Sequence, residues 1–480
     1  MTTLLILLST PLLAALLSVI ARKSLVLDIV AILTTGLELG AALVLAQRAS
    51  IATQTYNGAF SIDAFGAIVI CTVAIIGFFT ALYSVGYLRE EVSKGIIGFR
   101  RVREYFVLVH LFLFAMFFAV VTTAPILLWI AVEATTLATA FLVSFYNKRS
   151  AMEAAWKYLI INSVGLLLGF LGTLLYFTAF RDAGGAEFVT WDMLRASAGA
   201  IDPLVAKIGF VMVLIGYGTK IGLAPMHTWK PDAYSKAPTP VVALFSGALL
   251  NVALLALLRF KGVTDLALHS NFTQYLLIGF GLFTILVAGL IIFTQWNYKR
   301  LLAYSSIEHA GIMVLGFGFG GVGTFAALLH MIYHSLAKSS LFFCAGNIFL
   351  KYSSTKIENV RGLLTTLPTT TILFFTAFLA VVGLPPFGIF MTELYIIIAG
   401  FALHPYVAAA AVFGLALVFV GFLRHVTGLA YGDAPSEVAP GESNYLTVVP
   451  SLTLLIILIL LGLYVPEEIR TLLHAAASSI

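Results

Sequence analysis

Residues 369–400 read TTTILFFTAFLAVVGLPPFGIFMTELYIIIAG. This stretch has one charged side chain, Glu393. An α-helix needs about 20 apolar residues to cross roughly 30 Å of hydrocarbon, and this run exceeds that. Gly383-Leu384-Pro385-Pro386 interrupts it. Proline removes an intrahelical hydrogen bond, so the helix breaks there and frees carbonyls that can hold water or an ion. A carboxylate in mid-bilayer costs roughly 3 kcal/mol, so Glu393 is expected to face an interior path rather than lipid.

The same reading extends outward along the chain. Of 480 residues, 61% are hydrophobic and 10% charged, where a soluble domain carries about 25% charged residues. Fourteen apolar segments suit membrane helices: 2–21, 25–46, 62–87, 104–122, 125–146, 153–179, 204–226, 239–260, 272–294, 300–319, 323–350, 369–400, 405–429 and 446–465. Helices satisfy their own backbone in lipid, so the expected fold is all-α, a bundle of about fourteen transmembrane helices. The longest loops, 181–203 and 430–445, are too short for a separate soluble domain. The first helix lacks a basic flank before it, which favours a retained helix over a cleaved signal.

Gly222-Leu223-Ala224-Pro225 in the seventh segment echoes Gly383-Leu384-Pro385-Pro386 in the twelfth. Paired breaks five helices apart point to a site at the membrane midplane between two repeats. Repeats of five helices, an odd number, are inverted relative to each other. Four regions follow: 1–103 with helices one to three, 104–260 as first repeat, 272–429 as second, and 446–480 as the C-terminal helix. Ordinary proline kinks would leave the same local signature.

Basic residues alternate in step with this count. One side collects seventeen, among them Arg89, Arg100, Arg101, Arg103, Lys230, Lys299 and Arg300. The other holds seven, and Lys157, Lys220 and Lys338 remain within helices. By the positive-inside rule the richer side is cytoplasmic and both termini face outward across a prokaryotic cytoplasmic membrane. The net charge of +5 therefore sets topology, and nothing in it calls for nucleic acid. The partner it does imply is the lipid bilayer.

The intramembrane charges have an order. Glu133 lies eight residues after Pro125, about 12 Å into its helix. Lys220 precedes Pro225 by five residues. His330, His334 and Lys338, at i, i+4 and i+8, share one helix face. Asn251 lies midway along the eighth helix and Glu393 in the twelfth. Burial and opposite charge push the proton affinity of such groups in opposing directions, so a small movement can shift a proton. Histidine relays protons near neutral pH. Glu133, Lys220, Asn251, His330, His334, Lys338 and Glu393 are thus the candidate proton path, with Lys157, His227, Glu308 and His309 as uptake or tuning positions. A Glu133–Lys220 pair could instead be structural. Asp28 and Glu38 read as interfacial. His330 and His334 have metal-ligand spacing, but no third ligand is evident, so no metal is expected. Cys71 and Cys344 sit in apolar runs as buried small residues. No phosphate loop or dinucleotide fingerprint occurs, so no cofactor is expected in this chain and electrons would flow elsewhere.

Several motifs resemble the antiporter-like membrane subunits of complex I, Mrp cation/proton antiporters and group 4 energy-converting hydrogenases. They are Leu128 to Thr136, Thr219-Lys220-Ile221-Gly222-Leu223-Ala224-Pro225-Met226-His227-Thr228-Trp229, Lys236 to Pro240, Lys299 to Ser306, His330 to Lys338 with Ala345-Gly346, and Gly383 to Glu393. Glu133-Ala134-Thr135-Thr136, Ala155-Trp156-Lys157-Tyr158 and Ser306-Ile307-Glu308-His309 resemble the formate-hydrogenlyase type most. The resemblance implies fourteen helices with two inverted five-helix repeats, a proton- or sodium-translocating role, companion membrane subunits and a peripheral redox module. It maps the family's fifth-helix glutamate to Glu133, its seventh-helix lysine to Lys220 and its twelfth-helix Lys or Glu to Glu393. The eighth-helix Lys or His falls on Asn251, a departure, since asparagine does not titrate. A subunit of an Mrp-type antiporter, or a structural anchor or carbon-uptake subunit, are the rival readings. The chain ends soon after the fourteenth helix, which argues against the complex I subunit bearing a long lateral helix.

Overall fold

The computed structural model describes residues 1–182, 189–442 and 444–480. The first third comprises α1 (Thr2–Ile20), α2 (Ser24–Ala49), a hairpin of β1 (Gln54–Tyr56) and β2 (Phe60–Ile62), α3 (Ala64–Ser93), α4 (Phe99–Val121), α5 (Pro125–Val143) and α6 (Arg149–Asp182). The middle holds α7 (Trp191–Ala196), α8 (Pro203–Ile221), α9 (Trp229–Lys236), α10 (Thr239–Leu244), α11 (Leu250–Leu268), α12 (Phe272–Ile291), α13 (Tyr298–Phe319) and α14 (Val322–Tyr352). The last part runs through α15 (Leu363–Thr366), α16 (Pro368–Val381), α17 (Gly388–Leu403), α18 (Pro405–Ala430), α19 (Tyr445–Leu463) and α20 (Glu467–Ser479).

Among the described residues, twelve helical spans are long and apolar enough to cross a membrane. Two expected spans fall outside that set for physical reasons. The eleventh, α14, is 31 residues long but carries His330, His334, Lys338 and Lys351. The twelfth is divided into α16 and α17, of 14 and 16 residues. Polar side chains set the helix starts: Asp63 caps α3 at Gly66 N (2.8 Å), and Asp202 caps α8 at Leu204 N (2.7 Å). The hairpin departs from the all-α expectation; its turn uses Asn57 and Gly58, both at positive φ, the strongest short hairpin signal a sequence offers. The amphipathic α20 was also not foreseen. It lays Leu472, Leu473 and Ala476 inward.

The two breaks share a geometry. α8 ends at Gly222 in the left-handed region (φ 89°), and the chain turns after α16 at Gly383 (φ 67°). Glycine takes this conformation without a Cβ penalty. Both breaks contain a cis X-Pro bond, Ala224–Pro225 and Pro385–Pro386. Between them lies the polar interior. The spans Thr239–Leu268 and Tyr298–Phe319 are enclosed by other helices, whereas α1, α2 and α18 turn leucine, valine and phenylalanine outward to where lipid would lie. Small residues bring helices close: a Cβ on Gly216 of α8 would meet Gly169 Cα of α6 at 2.5 Å.

Candidate functional site: a buried polar axis

The first half of the axis starts at Glu133 on α5. Its carboxylate accepts from Ser163 Oγ (2.7 Å) and from Thr136 Oγ1 (3.3 Å). Lys220, buried at the end of α8, donates to that same Thr136 Oγ1 (2.8 Å) and to the Tyr158 hydroxyl (3.1 Å). The expected Glu133–Lys220 pair is therefore a bridged one, with threonine between acid and amine. The register explains why: Thr136 lies one turn beyond Glu133 on the same helix face. Tyr158 in turn bonds Thr139 at 2.6 Å.

The break after α8 does not leave its carbonyls open, contrary to the sequence expectation. Trp229 Nε1 donates to Thr219 O (2.9 Å) and Lys230 Nζ to Ile221 O (2.8 Å). The sequence places Lys230 in a basic loop, yet it is 1% exposed. Lys299, assigned likewise, is 3% exposed and donates to Ala237 O at 2.8 Å. Both basic side chains fold back over neighbouring helix ends because those carbonyls need donors.

The eighth span carries a π-helical turn, Phe245–Leu249, just before Asn251. Such bulges insert a residue and re-aim side chains. Asn251 Nδ2 donates to Ser335 Oγ (2.8 Å) on α14, while its Oδ1 is buried without a partner. Ser246, within the π turn, bonds Ser306 at 2.9 Å. Ser306 and Lys338 then share one acceptor, the Leu302 carbonyl, at 3.1 Å each.

The second half is denser. His309 Nδ1 lies 3.0 Å from His330 Nε2, and His330 Nδ1 lies 2.8 Å from Thr392 Oγ1, one residue before Glu393. His334 packs 5.0 Å from the His309 ring, and both its ring nitrogens are buried without partners among the described residues. Glu308 sits 3.7 Å from His309 Nε2 and within Coulombic range of Lys338 and Glu393. Glu393 lies against the second break: a Cβ on Gly383 would meet its Oε2 at 2.1 Å. His309, placed among the uptake or tuning positions from sequence, is thus the hub of this half. Candidate ligand atoms of His309, His330 and Glu393 lie within 4.8 Å of one another, a grouping from three helices that leaves out His334 and so differs from the His330–His334 pair considered from spacing.

The remaining candidates lie off the axis. Lys157 pairs with Glu153 (2.7 Å) and Asp232 (3.5 Å) at the surface. His227 stacks edge-on against Tyr304 in the turn before α9. Glu38, read as interfacial, is 1% exposed in the middle of α2, and Asp28 pairs with Arg89 at 2.5 Å. Sequence reading missed Thr136, Tyr158, Ser163, Ser246, Ser306, Thr392 and Lys230. It also missed Glu91, buried at the end of α3 with the Tyr146 hydroxyl at 2.5 Å.

Comparison with known proteins agrees with this architecture. Residues 123–418 match the model of the NADH:quinone oxidoreductase/Mrp antiporter transmembrane family. The "Hydrogenase-4 component F homolog" of Methylacidiphilum infernorum is 36% identical over 85% of this chain and 86% of its own length. The "NADH-quinone oxidoreductase subunit N" of Halorhodospira halophila is 30% identical over 91% and 89%. Among solved structures, an archaeal membrane-bound sulfane sulfur reductase superposes with a TM-score of 0.86 at 24% identity, covering 100% of this chain and 98% of the other. The Mrp complex of a Dietzia species gives 0.86 at 21% identity, covering 100% and 97%. The chain is an antiporter-like membrane subunit and belongs to the NADH:quinone oxidoreductase/Mrp antiporter family.

Proposed function

We propose that this subunit translocates protons, with sodium as the alternative ion, for a redox-driven complex of the energy-converting hydrogenase or complex I kind. The observation that carries the reading is the run Thr392–His330–His309 in the bundle interior, flanked by the buried Glu308 and Lys338 and by the half-buried Glu393. Buried polar atoms of Asn251, Ser305, Glu308, His309 and His334 lack protein partners, and such groups recruit ordered water. Histidines and water together form a wire along which protons hop, while the Lys338–Glu308 and Lys220–Thr136–Glu133 sets hold or release charge.

The likeness to a hydrogenase-4 component supports a redox-driven complex with companion membrane subunits and a peripheral redox module. Basic-loop counts support a cytoplasmic membrane with both termini outside. Moving one charge against 100 mV requires about 2.3 kcal/mol, within the scale of one buried charge shift.

The test uses the native complex in inverted membrane vesicles. A pulse of electron donor should acidify the interior in sodium-free buffer, and Lys220→Ala should abolish the acidification while the complex still assembles. Unchanged pumping in the variant, at normal assembly, would favour a structural anchor. Loss of pumping in sodium-free buffer alone would assign the path to sodium.

A further inference from the structure

Lys230 stands apart from the other buried charges. Its ammonium has three donors but one observed acceptor, Ile221 O, and it lies 5.7 Å over the Tyr234 ring. Among the described residues no carboxylate pairs with it, since Asp232, two residues on, is engaged by Arg300 and Lys157. Capping a carbonyl at a helix break does not require a charge: Trp229 does so for Thr219 with a neutral N–H. An uncompensated buried cation is costly, so structural capping alone does not account for it.

Its surroundings explain the cation better. Tyr234, one turn along α9, buries a hydroxyl that has no hydrogen-bond partner among the described residues and adjoins Ser246. Ser246 leads through Ser306 to the Leu302 carbonyl that holds Lys338. On the other side, the Tyr234 and Tyr158 rings flank Phe245 at 5.8 and 5.9 Å, and Tyr158 holds Lys220. Asn251, by contrast, turns to Ser335 and has no proton to exchange.

We infer that Lys230 is the proton-carrying group between the two halves of the axis, receiving a proton from the Lys220 side and passing it by way of Tyr234, Ser246 and water toward Lys338. No bond other than N–H and O–H is made or broken, and the lysine returns to its starting state after each transfer. The inference rests on the translocation reading and deepens it.

Three variants of the native complex test it, each assayed for assembly, redox turnover and protons moved per electron. Lys230→Met should assemble and turn over but pump at least tenfold less. Lys230→Arg keeps a cation and a donor for Ile221 O but does not release its proton near neutral pH, so it should fail to pump as well. Recovery of pumping in Lys230→Arg would show a capping or electrostatic role and overturn the inference, as would normal pumping in Lys230→Met. Should Lys230→Met not assemble, Lys230→Arg decides alone. Lys338→Ala runs in parallel: if it and the Lys230 variants all pump normally, the translocation reading itself fails, whereas normal pumping in the Lys230 variants alone sinks only this inference.

Discussion

Lys220 and Glu133 meet through a third side chain: the Thr136 hydroxyl lies 2.8 Å from the ammonium and 3.3 Å from the carboxylate. A hydroxyl both donates and accepts, so it can pass a proton where a direct ion pair would hold it. Thr136→Val keeps the shape and removes that link. A hydrogen bond to a charged group contributes about 1.5–3 kcal/mol, so pumping should fall roughly tenfold or more at unchanged assembly. Thr136→Ser should pump within about twofold of wild type, because the hydroxyl alone is required. Proton uptake rates in vesicles measure both.

The His330–Thr392 contact gives a stability prediction. Thr392 Oγ1 is 2.8 Å from His330 Nδ1, and both side chains are fully buried. Thr392→Val leaves a ring nitrogen unsatisfied and should cost about 1–3 kcal/mol, seen as a lower unfolding temperature of the detergent-solubilised complex. Thr392→Ser should restore most of the loss. Equal unfolding temperatures for Val and wild type would mean the contact does not orient the ring.

Close packing of α6 on α8 positions Lys220. A methyl at Gly216 would have to push against the Gly169 backbone, which does not yield as a side-chain tip does. Gly216→Ala should therefore destabilise by about 1–3 kcal/mol through overpacking, whereas Gly279→Ala, which meets nothing within 4 Å, should not. Thermal unfolding of the two variants side by side distinguishes them.

How much of this was legible beforehand follows from what each signal encodes. Hydropathy and the two Gly/Pro breaks were enough to recognise an apolar helical bundle, twelve of whose expected fourteen spans are long and apolar enough among the described residues, and to single out the break-flanking Lys220 and Glu393, because both depend on local composition. Spacing on one helix put His330, His334 and Lys338 together. It did not reveal that His309, from α13, lies beside His330, since periodicity reports one helix face and never which faces meet. Thr136, Ser246 and Ser306 were invisible for another reason: small hydroxyls are common in membrane helices, and only packing shows which bridge charges. Lys230 and Lys299 were misplaced because a basic residue next to a turn reads as a water-facing loop, while the folded chain uses each to cap carbonyls of a neighbouring helix end.

Outside the axis, Asp63 and Arg259 tie the start of α3 to α11 by two hydrogen bonds of 3.0 Å each. Burial raises the affinity of the Asp63 carboxyl for its proton, but the Arg259 guanidinium, helped by the Gly66 N–H and Arg195, outweighs burial and holds it below the ordinary carboxylate range. A carboxyl with a depressed folded-state value stabilises the fold above its unfolded value of about 3.9 and loses that contribution as pH falls through the folded value. The unfolding temperature should therefore drop more steeply below pH 4 in the wild type than in Asp63→Asn. At pH 7 the variant should already be less stable by about 1.5–3 kcal/mol. Parallel pH curves would remove Asp63 from the stability of this face.

The ratio of protons moved to electrons transferred, measured in vesicles holding the native complex with Lys338→Met or Glu393→Gln, bears most directly on the polar axis as an ion path. Each substitution removes one exchangeable proton from the polar axis and, on the proposed reading, leaves electron transfer running. The expected result is assembled complex, continuing electron transfer and a ratio well below that of the wild type. A wild-type ratio in both variants would contradict it and leave the buried charges a purely structural part.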